Sequence, residues 1–66
     1  MTSIEKAWSR MKTISCECAA QHRPLKPSEA RVLVLRVLTE ERVSPWPPND
    51  AIAFYATEMV ERSVAG

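Results

Sequence analysis

Residues 44–50, "SPWPPND", place three of the chain's five prolines beside one of its two tryptophans. Proline fixes its own φ angle at about −65° and disfavours helical geometry in the residue before it. The sequence therefore predicts a stiff, extended, polyproline-like joint over residues 43–49, which separates two helices. Because the only glycine is Gly66, no flexible linker is expected within the chain.

The residues after the joint predict a third helix, over about 50–65. Asn49 or Asp50 is expected to cap its start, and Glu58 and Arg62 stand four residues apart in the favourable acid-before-base order. Apolar and small side chains recur at helical spacing and form one face. This face consists of Ile52, Ala53, Tyr55, Ala56, Met59, Val60 and Ser63.

The residues before the joint predict a second helix, over about 28–42. Ser28 is a good N-cap, Glu29 lies in the first turn, and Arg42 in the last turn suits the helix dipole. Within this segment, residues 31–38 ("RVLVLRVL") would suit a buried strand equally well, because periodicity cannot assign a short continuous apolar run. We favour the helix. Its main apolar face consists of Ala30, Leu33, Val34, Val37 and Leu38.

The first segment predicts a helix over about 3–22. Thr2 and Glu5 have the spacing of a capping box, and residues 22–28 ("HRPLKPS") end the helix with two prolines. One face of this helix holds the side chains that recur at about 100° per residue. They are Ile4, Ala7, Trp8, Met11, Ile14, Ser15, Cys18 and His22.

Together these segments predict a single all-α domain, a helical hairpin followed by a third helix after the proline-rich joint. Chains of this length bury only about 60% of their unfolded surface and usually need further stabilisation. A disulfide between Cys16 and Cys18 would be severely strained, and no signal peptide or membrane span is visible in the sequence. We therefore expect a cytoplasmic protein that is stabilised by self-association, as a homodimer, or by a partner.

Some apolar side chains fall outside the predicted core faces. Val32 and Leu35 point away from the main face of the second helix, among Arg31 and Arg36, and Phe54 lies opposite Ile52. Trp46, in the middle of the joint, could plug the open end of the core or project as an anchor for another protein. The predicted partner-binding residues are Phe54, Trp46, Val32, Leu35, Arg31 and Arg36.

The net charge is only +1, but residues 6–36 contain seven basic side chains against two acidic ones, a net charge of +5. Residues 25–33 ("LKPSEARVL") resemble the opening of a first helix in bacterial helix-turn-helix regulators. The following residues depart from that pattern, because they lack the tight turn and lead to an apolar and acidic helix. If the protein binds nucleic acid or an acidic partner, the predicted face consists of Arg10, Lys12, Arg23 and Lys26.

The cluster "CECAAQH", residues 16–22, contains side chains that bind zinc or act as nucleophiles. On a helix, Cys16 and Cys18 diverge by about 200°, and a structural zinc site needs four ligands that the sequence does not supply. Cys18 and His22 lack an orienting acid and an oxyanion loop. We therefore predict no metal, no cofactor and no enzymatic activity.

These observations favour a non-enzymatic protein that regulates or inhibits a larger protein by direct surface contact. Its size and lack of an active-site set suggest a phage or mobile-element inhibitor of host machinery, such as an anti-CRISPR protein or an anti-activator. The alternative is a small dimeric DNA-binding transcriptional regulator that uses the basic face. A third option is a structural subunit of a larger assembly, whose isolated chain would be insoluble or unfolded.

Overall fold

The computed structural model describes residues 3–64, which form three α-helices. They are α1 (Ser3–Ala20), α2 (Pro27–Glu40) and α3 (Asn49–Val64), and residues 3–64 contain no strand. The predicted all-α, three-helix domain is confirmed, and the ambiguous run of residues 31–38 is helical. The predicted capping box includes Thr2, which lies outside the described residues.

The core lies between the three helices, and α3 packs extensively against both α1 and α2, which contact each other less. Each helix contributes residues of its predicted apolar face. The buried helical residues are Ala7, Met11 and Ser15 of α1, Ala30, Val34, Val37 and Leu38 of α2, and Ile52, Ala56, Met59 and Ser63 of α3. Leu25 and Val43, from the two connections, complete the core.

Two residues assigned to these faces are exposed instead. His22 lies beyond the end of α1, so it no longer follows the helical periodicity that placed it on the Cys18 face. Ala53 lies at the margin of the apolar face of α3, where neither neighbouring helix covers it. Both predictions were wrong, although the remaining members of each face are buried or half-buried.

Helices α1 and α2 end in the same hydrogen-bonded motif. After α1, the Arg23 amide donates to the Cys18 carbonyl (2.9 Å) and the His22 amide to the Ala19 carbonyl (3.0 Å). His22 adopts a left-handed conformation with φ of 55°. This pattern is the Schellman motif, whose left-handed position is usually glycine. The motif ends α1 two residues before the predicted boundary.

After α2, the Val43 amide donates to the Leu38 carbonyl (3.0 Å) and the Arg42 amide to the Thr39 carbonyl (3.1 Å). Arg42 has a φ of 53° and lies outside the helix, so its predicted place in the last turn was wrong. Val43 and Leu38 are both buried, which supplies the hydrophobic contact that accompanies this motif.

Helix α2 begins earlier than predicted. Lys26, with extended backbone angles, is the N-cap, and Pro27 occupies the first turn, where its missing amide hydrogen costs nothing. The Lys26 amide donates to Glu29 Oε1 (3.3 Å). The ammonium group of Lys26 has no lone pair to accept a bond in return. Ser28 is therefore a first-turn residue and not the cap.

Helix α3 begins directly after Pro48, the last proline of the joint. The Pro48 carbonyl accepts the first intrahelical hydrogen bond, from the Ile52 amide (3.1 Å). Asn49 and Asp50 therefore lie within the first turn, and the prediction that one of them caps the helix was wrong. The negative charge of Asp50 still suits the positive end of the helix dipole.

The connection between α2 and α3, residues 41–48, is not uniformly extended. The chain bends at Ser44 and Pro45, whose peptide bond is cis, and it runs without regular structure over residues 46–48. The joint that the sequence predicts to be extended and polyproline-like is therefore bent at Ser44 and Pro45. In the described part of the chain, no helix is long and apolar enough to cross a membrane.

A buried hydrogen bond fastens the first connection to the last helix. The Leu25 amide donates to Ser63 Oγ (2.9 Å), and the Ser63 hydroxyl donates to the Val60 carbonyl (2.7 Å). These partners are 38 residues apart, so the bond links the α1–α2 connection to the end of α3. Because the Leu25 amide is buried, it has lost its hydrogen bond to water, and the bond to Ser63 Oγ replaces it.

We expect Ser63→Ala to lower the free energy of unfolding by about 1–3 kcal/mol, because it leaves the buried Leu25 amide without an acceptor. Ser15→Ala is the matched control. The buried Ser15 hydroxyl donates to the Met11 carbonyl of its own helix (2.9 Å), and that carbonyl already accepts the helical bond. Urea unfolding followed by circular dichroism measures both variants. An equal decrease in the free energy of unfolding for both variants would show that the Ser63–Leu25 bond stabilises the fold no more than the bond within α1.

The left-handed residues predict a stabilising change. His22→Gly or Arg42→Gly should each raise the free energy of unfolding by up to about 1 kcal/mol, because glycine adopts positive φ without a Cβ clash. Gln21→Gly, at the adjacent position with negative φ, should be destabilising. Chemical denaturation checks the three variants, and a loss of stability in both glycine variants at positive φ would contradict this account.

Candidate functional site

Three large apolar side chains of the predicted partner-binding set are exposed. Val32 is 56% exposed, Trp46 50% and Phe54 57%. Neither Trp46 nor Phe54 belongs to the core or to the half-buried residues packed against it. The structure therefore favours the projecting arrangement of Trp46 over the plug.

Phe54 is the end of a row of aromatic rings formed by Trp8, Tyr55 and Phe54, here named the aromatic row. The ring of Phe54 meets that of Tyr55 edge to face, with centroids 5.9 Å apart, and Tyr55 lies 5.4 Å from Trp8. Trp8 and Tyr55 are half-buried between α1 and α3. The row thus continues from two half-buried rings, which pack against the core, to the exposed Phe54.

Two cations flank the inner end of the aromatic row. Lys12 Nζ lies 5.7 Å and Arg62 Cζ 5.5 Å from the centroid of the Trp8 ring. Arg62 also pairs with Glu58 at 4.0 Å, as the four-residue spacing predicted. Cation–π contacts at partly exposed sites contribute about 0.5–1 kcal/mol each. They hold the Trp8 ring, on which Tyr55 packs.

A cavity of about 350 Å³ adjoins the aromatic row at Tyr55. The joint supplies one wall through Val43, Pro45, Pro47 and Pro48, and the start of α1 supplies another. The prolines next to Trp46 therefore frame a groove, while Trp46 itself projects. We call this groove the proline cavity.

The structure does not bring the whole predicted set together. Val32 lines a separate cavity between α1 and α2, whereas Phe54 contacts Tyr55 of the aromatic row. Leu35 is half-buried and packs against the core, so the expected second stripe on α2 is reduced to Val32. Arg31 and Arg36 are exposed, and within residues 3–64 neither forms an ion pair.

The predicted basic face is divided. Arg10 donates to Glu40 at 2.8 Å and to Glu41 at 3.2 Å, across the α1–α2 packing. The hydrogen bond to Glu40 is the largest cause of the raised Arg10 pKa, and the nearby negative charges of Glu40 and Glu41 add to it. Lys12 lies over Trp8, so Arg23 and Lys26 are the two members of the set that remain exposed without an ion pair in the described chain.

The cysteine and histidine cluster does not form the geometry that its spacing suggested. Cys16 is exposed, Cys18 is half-buried, and His22 lies in the turn beyond α1. The predicted common face of Cys18 and His22 is therefore absent. Residues 3–64 contain no group of three or more His, Cys, Asp or Glu side chains that could hold a metal ion.

Sequence reasoning missed two contacts between distant residues, one within the aromatic row and one between α1 and the end of α2. Tyr55 was assigned to the core face of α3, yet it is the ring that joins Trp8 to Phe54. The bond between Arg10 and Glu41 joins residues 31 positions apart, so no local spacing could reveal it. The only signal in the sequence was that residues 6–36 are net basic, whereas Glu40 and Glu41, which follow them, are acidic.

A comparison with models of protein families gives no match, and neither the curated proteins nor the solved structures compared with this chain give a significant one. The function is therefore argued from the geometry described above.

The exposed end and the packed centre of the aromatic row should respond differently to truncation. We expect Phe54→Ala to change the free energy of unfolding by less than about 1 kcal/mol, since it removes one exposed edge contact. Tyr55→Ala should cost more, about 1–3 kcal/mol, because Tyr55 packs on Trp8 and the core. Thermal unfolding at matched concentration checks both, and a larger loss for Phe54→Ala would place Phe54 in the core.

Proposed function

We propose that this protein is a non-enzymatic interaction module that regulates or inhibits a larger protein by direct surface binding, and that it acts in the cytoplasm as a homodimer. The observation that carries the proposal is Phe54, a phenylalanine that is 57% exposed and stands on a packed row of aromatic rings. Such a side chain offers apolar area that the core of the chain does not use.

The rigidity of the aromatic row supports a binding role. Tyr55 is fixed between Trp8 and Phe54, and Trp8 is held by the two flanking cations. A partner that covers Phe54 would therefore immobilise little that is not already ordered, which lowers the entropic cost of association. Aromatic anchors beside a groove are the residues that most often dominate binding energy.

The proline cavity supports the same surface as the docking site. It adjoins Tyr55 and is framed by Pro45, Pro47 and Pro48, which restrict the backbone around Trp46. Trp46 belongs to the joint that forms one wall of this cavity, and Phe54 is the neighbour of Tyr55, which also lines it. A partner segment that fills the cavity would contact both the joint and α3.

No catalytic role is proposed for any residue. Cys18 and His22, the pair with nucleophile and base chemistry, stand on a helix and in the turn beyond it. Small size and action by surface contact are typical of phage or mobile-element inhibitors of host machinery. We propose that this chain belongs to that class, of which anti-CRISPR proteins and anti-activators are examples, and that its host target binds the aromatic surface.

A DNA-binding regulator is the second candidate, and one observation favours it. Arg23, Lys26 and Arg31 are exposed around the start of α2 without an ion pair among residues 3–64. The pairing of Arg10 with Glu40 and Glu41 weakens this candidate, because it removes a central cation of the predicted face. Phosphate contacts would make the affinity fall steeply with salt.

Capture from a lysate of the native host tests the proposal. The tagged wild-type chain and the Val64→Ala variant, which truncates another exposed apolar residue of α3, should retain the same host protein. Phe54→Ala and Trp46→Ala should each weaken its binding by more than about 1 kcal/mol, or roughly fivefold in Kd, while the helical signal is unchanged.

The salt dependence of the captured complex separates the two candidates. Binding through the aromatic surface should change little between low and physiological salt, whereas phosphate contacts would weaken it by orders of magnitude. Retention of the host protein by both alanine variants would contradict the proposed surface. Retention of nucleic acid alone, lost at higher salt, would favour the DNA-binding candidate.

A further inference from the structure

The cavity between α1 and α2, about 380 Å³ in volume, has an apolar floor and a charged rim. Ile14 and Cys18 of α1 face Leu33 of α2 across it, and Val32 stands exposed at its edge. We call it the hairpin cavity, after the helical hairpin that α1 and α2 form. It is distinct from the proline cavity and shares no lining residue with it.

The hairpin cavity is already formed in a single copy of the chain. Leu25, which also lines it, is buried and held by the hydrogen bond from its amide to Ser63 Oγ. Leu33, Ile14 and Cys18 pack on the core from the other side. A docking segment would therefore meet a preorganised surface, which favours association.

The rim carries one charge of each sign. Arg23 and Glu29 both line the hairpin cavity and are both exposed. In the described chain they form no ion pair with each other or with another residue, although Glu29 Oε1 accepts the Lys26 amide. The cavity thus presents an arginine and a carboxylate that have no ionic partner among residues 3–64.

The geometry points to a second copy of this chain as the occupant of the hairpin cavity, paired about a two-fold axis. In such an isologous interface every contact between two different residues occurs twice, once in each direction. Arg23 of each copy therefore faces Glu29 of the other copy. The two Val32 side chains cover the apolar floor between these charges. This inference rests on the proposed homodimer and names its interface.

A second copy that is related by a two-fold rotation pairs both charges at once. We therefore infer self-association. A different protein would need an apolar ridge flanked by an acid and a base in the opposite order, and nothing in this chain specifies such a partner. The two Arg23–Glu29 pairs lie on either side of the contact between the Val32 side chains. They therefore also fix the relative orientation of the two copies.

Analytical ultracentrifugation of the full chain, from about 1 μM to 1 mM, tests the interface. We expect reversible dimerisation by the wild type and by Val64→Glu, which places the same charge at an exposed valine outside the hairpin cavity. Val32→Glu should weaken the dimer by at least about tenfold in Kd without loss of helicity. A monomer at every concentration, or a dimer unaffected by Val32→Glu, would overturn the inference.

Charge reversal tests the two-fold pairing itself. Arg23→Glu and Glu29→Arg should each weaken the dimer, because residues 23 and 29 then carry the same charge and repel each other in both rim pairs. The double variant should return to within roughly threefold of the wild-type Kd, since the opposite charges face each other again. Glu29→Arg also removes the acceptor of the Lys26 amide, so circular dichroism checks that each variant keeps the helicity of the wild type. Failure of a fully helical double variant to recover would show that these two residues do not meet across the axis.

The two cysteines provide an internal measurement of the same surface. Cys18 lines the hairpin cavity, whereas Cys16, on the same helix, is exposed and outside it. In Cys16→Ser the reaction of Cys18 with a thiol reagent should slow by about tenfold where nine-tenths of the chain is dimeric. In Cys18→Ser the reaction of Cys16 should not depend on concentration. Equal behaviour of the two thiols would contradict docking at the hairpin cavity.

These measurements need no host protein, so they fail independently of the partner-binding proposal. If the chain stays monomeric while capture still depends on Phe54, the hairpin-cavity inference is wrong and the aromatic surface stands. If the dimer behaves as expected but capture is unaffected by Phe54→Ala, the aromatic surface is wrong and the dimer interface stands.

Discussion

The inner face of α3 has to cover the apolar faces of α1 and α2 at the same time, and the other features of the structure depend on this packing. Met11, Leu38, Ile52 and Met59 are fully buried, so every helix supplies at least one large side chain to a single shared core. The unbranched methionines can fill irregular space between three helices. The Ser63–Leu25 bond then ties the first connection to α3, which keeps the hairpin closed on the core.

The helices could be predicted from the sequence because burial imposes a period on the side chains, and that period survives in the residue order. It also settles residues 31–38 in favour of the helix, since Val34, Val37 and Leu38 are buried at helical spacing. The positions of the helix ends do not follow from this periodicity. They depend on backbone hydrogen bonds made with a left-handed residue, and a chain with glycine only at its last position gives no local sign that His22 and Arg42 adopt that conformation.

The candidate site could be predicted only where a single helix determines the answer. Phe54 is exposed because its direction follows from its position relative to Ile52 within α3. The surroundings of Leu35 and Arg10 could not be predicted, because each depends on a neighbouring element. Leu35 packs against the core, and Arg10 meets Glu40 at the end of α2 and Glu41 directly after it. Helical angles within one segment contain no information about how two helices approach each other.

The accessible surface of the chain, 4441 Å², is close to the value of about 4200 Å² that its mass predicts for a folded monomer. The case for association therefore depends on where the apolar side chains lie, and not on an excess of total area. Val32 lines the hairpin cavity and Phe54 ends the aromatic row, so the two lie on different surfaces. A dimer formed through the first surface would leave two copies of the second free. Two linked binding surfaces raise the effective concentration of the second contact, so a weak aromatic anchor could hold a dimeric or repetitive target firmly.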